Sequence, residues 1–403
     1  MFFKGKDHFA ARILAKNPLF GNSEASPIIS PFLLPAILAN MDSIVALRWS
    51  WMNVLSRKRY DLLKEKFKTL ENALDHVSLE MLRELGARED TAMGAMNRLE
   101  EFDAEAHQKE LLKRGLTLLT IEDEAYPLAL LNIPDAPVFL YARGDLGILN
   151  QPCLALVGTR DMSEYGKRIT GHIVPPLISA GIVTVSGLAA GIDAEVARET
   201  IRAGGKTVAV LGHGFGTMYP KAHIHLADDI VNAGGLILSE LALDIQPDKF
   251  TFPARNRIIA GLSLGTVVLE AAEKSGSLIT ADLALDYNRD VFAVCGSIFD
   301  QNFAGCHQII QRGSGKLVTN AADILCELGM GHAIEASGET TSSFVAENQE
   351  EAAVFSVLTT MPMDLDDLTV KAKLDAAVLN ATLTMLELRG VVKNVGSGRW
   401  VRV

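Results

Sequence analysis

The chain has 403 residues, of which 48% are hydrophobic and 22% charged, and it carries a net charge of −11 at neutral pH. That length implies two or three domains, and the composition is that of a globular chain with a sizeable core rather than a disordered or fibrous one. The acidic balance excludes diffuse, charge-driven adhesion to nucleic acid or membrane, so any nucleic-acid site must be a local basic patch.

Residues 1 to about 27 are mixed and end in Asn22-Ser23-Glu24-Ala25-Ser26-Pro27, the composition of a loosely attached arm. Met1-Phe2-Phe3-Lys4 leads into no apolar run long enough for a signal peptide or a membrane span, so a cytoplasmic location without a membrane partner is expected. From Phe32 to about Arg114 apolar residues recur at helical spacing, as in Tyr60, Leu63, Phe67, Leu70, Leu74 and Val77. Residues 1–115 therefore read as a small helical domain. Leu116 to Asn150 changes character, with short extended pieces around Leu118-Leu119-Thr120 and Val138-Phe139-Leu140-Tyr141 broken by Pro127, Pro134 and Pro137.

The next stretch alternates strands with helices. Leu154–Val157, Val183–Ser186, Val208–Leu211, Leu236–Ser239, Thr266–Leu269 and Val291–Val294 are the expected strands. Such β-branched runs separated by helical stretches predict a parallel sheet covered on both faces, a Rossmann-like domain over residues 116–329. Residues 330–349 include the polar, unpatterned run Glu335 to Ser343, which predicts a flexible linker. In residues 350–403 three helical stretches, Ala352–Thr359, Leu365–Lys371 and Ala376–Arg389, precede a hairpin around Gly396-Ser397-Gly398. This is the layout of a winged helix-turn-helix. The predicted fold class is thus α/β: an extended Rossmann-like parallel sheet with an N-terminal helical domain and a C-terminal winged-helix domain.

Almost every predicted strand end carries a glycine cluster with a hydroxyl or a cation. These are Gly158-Thr159-Arg160, Ser186-Gly187 through Gly191, Gly212 through Gly216, Phe252-Pro253-Ala254-Arg255-Asn256 and Ser275-Gly276-Ser277, with Tyr219-Pro220-Lys221 following the third. In an open parallel sheet such turns gather at the carboxyl ends of the strands. Glycine lets backbone amides approach an anion, a helix N-terminus adds partial positive charge, and an arginine can fork onto phosphate. Each cluster alone has an ordinary account as turn chemistry; together on one edge they point to phosphate binding.

Several chemistries are excluded or set aside. Gly187 to Gly191 lacks the spacing of a dinucleotide fingerprint, no GxxxxGK[ST] is present, and His213, His223, His225 and His307 show no zinc spacing. No cofactor, metal or catalytic residue is expected. His223 and His225 read as solvated or capping groups, and Asp193 and Glu270 are the acids worth testing as general bases. For Asp193 a helix N-terminus is the simpler account. Cys153, Cys295, Cys306 and Cys326 form no CxxC pair, which fits buried apolar roles in a reducing compartment.

The ordered motifs Val157-Gly158-Thr159-Arg160 with Ser163, Tyr165 and Gly166, Ser186 to Asp193, Ala209 to Gly212 with Tyr219-Pro220, Phe252 to Ile259, and Ser275 to Ala281 closely resemble the DNA-processing protein A family, also called DprA or Smf. The resemblance covers about residues 116 to 328, and the C-terminal module more loosely. It implies a cytosolic, non-enzymatic, homodimeric protein that binds single-stranded DNA during natural transformation, protects it and helps load the RecA recombinase. By motif, Arg160 and Lys221 would grip backbone phosphates, and Gly158, Thr159, Ser186, Gly187, Gly212, Arg255, Asn256, Ser275, Gly276 and Ser277 would line the pocket. Phe215 or another aromatic would stack a base. The family commonly has His, Asp, Pro and Asn where this chain has Ala197, Gly216, Cys295 and His307.

Two other readings stand beside it. Gly265-Thr266 with Glu270 and Arg255 are similar to part of the phosphoribohydrolase pattern of the lysine-decarboxylase-like family, although Gly261-Leu262-Ser263-Leu264 replaces its PGG segment. A nucleotide sensor with a DNA-reading wing is the third. In the C-terminal module, under any of these readings, the helices around Ala376 to Arg389 and the cationic wing of Lys393, Arg399 and Arg402 suggest duplex contact, and a folding or partner-docking role stands beside it because Asp364, Asp366 and Asp367 oppose the charge.

Overall fold

The computed structural model describes residues 41–330, 346, 348–359, 362–396 and 398–402. The expected N-terminal arm, the linker run Glu335 to Ser343 and Ser397 of the hairpin turn lie outside the described residues. The chain forms two compact units, Met1–Ala336 and Ser337–Val403.

The first unit opens with helices α1 (Met41–Met52), α2 (Arg57–Phe67), α3 (Leu70–Leu74), α4 (Leu79–Glu84), α5 (Glu89–Glu100) and α6 (Ala104–Arg114). Their starts are set by local chemistry: Ser56, Thr69, Ser78 and Asp103 accept the amides of Arg59, Asn72, Met81 and Ala106. Gly115, left-handed at φ 64°, ends α6. Trp49, Leu63 and Leu82 are among the buried apolar residues that pack the bundle. The Ser50 hydroxyl lies 2.8 Å from the Tyr141 hydroxyl, and Arg98 forks onto Asp244 at 2.7 and 2.8 Å, so the helices are tied to the sheet that follows.

That sheet and its covering helices run β1 (Thr117–Thr120), α7 (Leu128–Leu131), β2 (Phe139–Gly144), β3 (Cys153–Gly158), α8 (Glu164–Ser179), β4 (Val183–Ser186), α9 (Ile192–Arg202), β5 (Thr207–Val210), α10 (Ile224–Asn232), β6 (Leu236–Ser239), α11 (Thr251–Leu262), β7 (Gly265–Glu270), α12 (Ser277–Asp286), β8 (Asp290–Val294), α13 (Ala304–Gln311), β9 (Lys316–Val318) and α14 (Ala321–Glu327). The strand order is β1-β2-β6-β5-β4-β3-β7-β8-β9. From β6 to β9 every neighbouring pair is parallel, and β2 and β1 extend the edge in antiparallel fashion. The six strands expected between Leu154 and Val294 all form, within a residue of their expected ends. Their residues are almost all buried, which is why they read as continuous apolar runs and not as alternating ones. Strand β9 was not expected, because two of its three residues are exposed and one is a lysine.

Strands β4, β5 and β6 build outward from one side of β3, and β7, β8 and β9 from the other. The order therefore reverses between β3 and β7, the place where ligands enter many doubly wound sheets. Among the described residues no helix is long and apolar enough to cross a membrane.

The second unit contains α15 (Gln349–Val357), β10 (Met363–Asp364), α16 (Leu365–Ala372), α17 (Ala376–Leu388), β11 (Val392–Asn394) and β12 (Arg399–Arg402), the last joined to β10 and β11 in a three-stranded antiparallel sheet. Val354, Leu368, Leu379, Leu383, Leu386 and Trp400 form its core. Arg389 donates from Nη1 to both carboxylate oxygens of the buried Glu351 at 2.9 Å, holding the end of α17 to α15. The arrangement is a winged helix.

One group at the junction of helices and sheet makes stability pH-dependent. His107 on α6 is buried edge-on against Trp51, with ring centroids 4.8 Å apart, and beside Phe102. Burial pushes its pKa below the usual 6.5, with Asp244 and Glu110 pulling upward and Arg98 downward. A depressed folded-state value means the stabilisation is present above the unfolded value and is lost as pH falls through the folded one. Urea denaturation is expected to show a lower midpoint at mildly acidic than at neutral pH, and the difference should shrink in His107→Phe; an unchanged pH dependence in that variant would refute the assignment.

Candidate functional site

The site is built from the turns that follow β3, β4 and β5 and from the start of α11, which follows β6. After β3, the backbone of Gly158 runs so close to α9 that a Cβ there would lie 2.6 Å from Ile192. The amide of Thr159 donates to the Glu270 carbonyl at 2.7 Å, and the amide of Ile192 donates to the Thr159 carbonyl at 3.1 Å. Ser163 caps α8 by accepting from Gly166 at 3.0 Å. The Ser163 amide in turn donates to the Glu270 carboxylate, at 3.1 and 3.2 Å to its two oxygens. Glu270 is fully buried, and Gly166 is a glycine of necessity, since a Cβ would meet the Glu270 Oε2 at 1.8 Å. The helix N-terminus expected to receive a ligand anion thus already holds one of the protein's own. The crevice between β3 and β7 is filled by a side chain.

After β4 the same thing happens with Asp193. Its buried carboxylate accepts the Gly187 amide at 3.0 Å and is also hydrogen-bonded by the amides of Ala189 and Gly158. Burial pushes its pKa above the usual carboxylate range, while Arg255 and those amides pull it down. The Gly158 and Gly187 amides, assigned to ligand phosphate by their spacing, are therefore spoken for. Both acids considered as general bases serve to hold backbone, and neither faces an opening.

Arg255, near the start of α11, is likewise internal. Its Nη1 donates to the Gly187 carbonyl at 2.6 Å and to the Val210 carbonyl, and its Nε donates to Asn256 Oδ1 at 2.9 Å. Burial lowers its pKa to about 10, with Asp193 opposing and Arg160 adding to the shift. Asn256 passes the connection on, donating from Nδ2 to the Gly276 carbonyl at 3.3 Å, where the Ser275 and Ser277 hydroxyls lie 2.8 Å apart. Arg255 and Asn256 are buried struts beneath the turns, with Arg255 Nε and Nη1 and Asn256 Nδ2 donating to oxygens of the protein. Ser186 is also buried, its hydroxyl 3.4 Å from the Asp193 carbonyl. Arg257 pairs with Glu240 and Asp135.

Above these struts lies an open cleft lined by Arg160, Gly187, Ala189, Ala190, Gly212, His213, Tyr219, Pro220 and Phe252. Its centre is aromatic. The Arg160 guanidinium sits 5.2 Å from the Phe252 ring centroid, and the Tyr219 ring lies 5.6 Å from the same ring, tilted by 47°. Gly212 admits Phe252, since a Cβ would lie 2.8 Å from its ring. The buried His213 shapes the loop: its Nε2 accepts the Tyr219 amide at 3.2 Å, which leaves the proton on Nδ1, 2.9 Å from the Gly214 carbonyl. Arg160 is exposed, and Lys221 is exposed next to Pro220; among the described residues neither has an ion-pair partner.

Of the expected set, Arg160, Gly187 and Gly212 line one cleft and Lys221 borders it. Gly158 and Thr159 form the turn behind Arg160. Ser186, Arg255 and Asn256 lie underneath, and Ser275, Gly276 and Ser277 lie beyond, reached through Asn256. Phe215 is partly buried against the core and is not among the residues that line the cleft. The aromatic rings that line the cleft are those of Tyr219 and Phe252, and just upstream in the chain Lys249 lies over the 72% exposed Phe250. The signal for them was in the sequence, as aromatics in or next to the clusters at the strand ends. His223 donates from Nδ1 to the Leu188 carbonyl, 2.9 Å away, as a buried structural group.

In the winged helix, α17 carries no lysine or arginine and exposes Val378, Met385 and Leu388. Arg402 lies over Phe355 at 4.7 Å, and Lys393 and Arg399 are exposed on the hairpin. The helix that would enter a groove offers an apolar surface, not cations for phosphate.

Residues 117–329 match the family described as DNA recombination-mediator protein A, and residues 339–398 match the DprA winged helix domain. The chain is 45% identical over 232 residues to the DNA processing protein DprA of Streptococcus pneumoniae, covering 58% of this chain and 80% of that one. It is 42% identical over 217 residues to the DNA processing protein DprA of Bacillus subtilis, covering 54% and 72%. The X-ray structure of DprA from Streptococcus pneumoniae aligns with a TM-score of 0.59 at 38% identity, over 71% of this chain and 97% of that one.

The strut arrangement is open to direct test. A Cβ on Gly187 would lie 2.0 Å from the Arg255 guanidinium carbon, so Gly187→Ala must evict that group from two carbonyls. The expected loss is about 2 kcal/mol or more, since buried polar groups lose their partners; an unchanged urea midpoint would refute the role.

Proposed function

The chain belongs to the DNA recombination-mediator protein A family, and from that premise we propose that it binds single-stranded DNA in the Tyr219–Phe252 cleft, shields the strand and passes it to a RecA-type recombinase. The observation that carries this reading is the pairing of an aromatic shelf with unpaired cations at its rim. Bases stack on aromatic faces without regard to sequence, and exposed cations track the backbone, which together make a single-strand binder of slight sequence preference. In a duplex the base faces are already stacked on one another, so the shelf favours single strands.

A cytoplasmic setting and natural transformation as one occasion for the activity belong to the same proposal. So does a homodimer. Two clefts on one strand raise avidity without altering either cleft, which reconciles an acidic chain with tight binding. The phosphoribohydrolase reading loses support from the burial of Glu270, whose carboxylate holds the Ser163 amide. Release of free adenine from AMP by the purified protein would restore it. A nucleotide sensor would need free amides for a terminal phosphate, and the Gly187 amide serves Asp193 instead.

Fluorescence anisotropy with an oligothymidylate across a salt series separates the two parts of the site. Arg160→Ala with Lys221→Ala is expected to weaken binding and to flatten the salt slope by about 1.4, because each phosphate neutralised on a single strand accounts for roughly 0.7. Tyr219→Leu and Phe252→Leu keep apolar packing and remove the aromatic faces. Each is expected to cost about 1–3 kcal/mol of affinity with the salt slope unchanged. Equal binding by all variants would reject the cleft.

A further inference from the structure

The loop after β8 presents two large apolar side chains to solvent: Ile298 is 80% exposed and Phe299 is 88% exposed. The loop is built firmly. Gly296 packs on Phe303, where a Cβ would lie 2.3 Å from the ring, and the His307 Nε2 lies 3.1 Å from the Gly296 carbonyl. The Ser297 hydroxyl accepts the Phe299 amide at 3.3 Å, the Asp300 amide donates to the Ser297 carbonyl at 3.0 Å, and Asp300 accepts the Asn302 amide at 2.9 Å. A framed loop that holds an isoleucine and a phenylalanine outward keeps them available to a ligand.

Its position says which. Strands β5, β4, β3, β7 and β8 are parallel neighbours, so the turns that follow them share one edge. The loop after β8 stands four strand spacings from the loop after β5, about 19 Å at ~4.8 Å each. The path between is marked by Arg160 after β3 and by the exposed Lys274 after β7. Tyr165, 44% exposed in the first turn of α8, bridges the two halves: its hydroxyl donates to the Cys295 carbonyl at 3.3 Å and its ring packs 5.4 Å from Phe303. Aromatic faces and cations thus alternate along one edge.

We propose that Phe299, flanked by Ile298 and Tyr165, is a second base-stacking subsite, and that a single strand seated in the Tyr219–Phe252 cleft runs past Arg160 and Lys274 to reach it. This rests on the reading of the cleft as a single-strand site. The occupant is the continuing polynucleotide, because the subsite shares the sheet edge with that cleft, and the turns between them expose Arg160 and Lys274 for its phosphates, with Asp161, Glu164 and Glu273 beside them. A free mononucleotide cannot span the two positions.

The test is a length series of oligothymidylates, read by anisotropy, with the wild-type chain, Phe299→Ala/Ile298→Ser and Phe299→Trp. The substituted side chains are solvent-exposed, so the variants retain the fold. Short oligonucleotides that fill the cleft alone are expected to bind the wild type and the double variant equally. Longer ones should bind the double variant about five-fold or more weakly, the loss of one stacked base. Phe299→Trp should keep full affinity, and its added indole emission should be quenched only by the longer strands. Equal affinity at every length, an equal loss at every length, or a change in sedimentation with DNA affinity intact would each overturn the subsite, the last by making this face a protein interface. Failure of the wild type to bind any of the strands would overturn the cleft itself, a different result from a neutral Phe299.

Discussion

A guanidinium buried among the carboxyl ends of two parallel strands underlies everything at this edge of the sheet. Arg255 joins the Gly187 and Val210 carbonyls, which close β4 and β5, and is balanced by the buried carboxylate of Asp193 nearby. Taking such charges out of water costs several kcal/mol each unless geometry and hydrogen bonds compensate. Here compensation requires the turns to take one conformation, because the Gly187 amide faces Asp193 while its carbonyl faces Arg255. The charges are thus spent on shape. What remains for a ligand is the surface those turns present: small residues, an aromatic shelf and cations projecting from it.

The division of labour runs through the chemistry of α11. Within its first two turns Phe252 faces the cleft, Arg255 and Asn256 brace the turns below, and Arg257 pairs with Glu240 and Asp135 on the way to the upstream segment. A single helix start therefore sets both the binding surface and its support. It also explains how an acidic chain presents a basic rim. Arg160 and Lys221 project from short turns with no carboxylate partner among the described residues, while other arginines, such as Arg98, Arg114 and Arg143, are engaged in ion pairs.

Much of this was legible in the residues, for reasons that differ by element. Strands buried on both faces leave an unbroken apolar signature, so β3 through β8 could be placed almost to the residue. A short strand with exposed polar residues leaves none, and β9 went unseen. Glycine clusters correctly marked the edge where the turns converge. They misled about what the backbone amides do there, because spacing cannot tell whether an anion comes from a ligand or from Asp193 and Glu270 far along the chain. The same limit hid the burial of Arg255, whose partners lie 68 and 45 residues away. Tyr219 and Phe252 were passed over in favour of Phe215. The sequence shows an aromatic near a glycine but not which way the loop turns it, and Phe215 turns inward to the core.

The carboxylate of Glu270 in the crevice between β3 and β7 has a bearing on competition. Doubly wound sheets with that crevice open take up mononucleotides, whose phosphate finds the helix N-terminus waiting. A protein meant to hold a polymer in the midst of abundant free nucleotides would be inhibited by its own ligand's building blocks if that berth were vacant. With the berth permanently filled from within, a monomer gains at most one weak foothold on the rim, whereas a chain of linked residues gains many at once. On the proposed reading of the cleft, selectivity for length over identity then follows from an internal side chain that never meets the ligand.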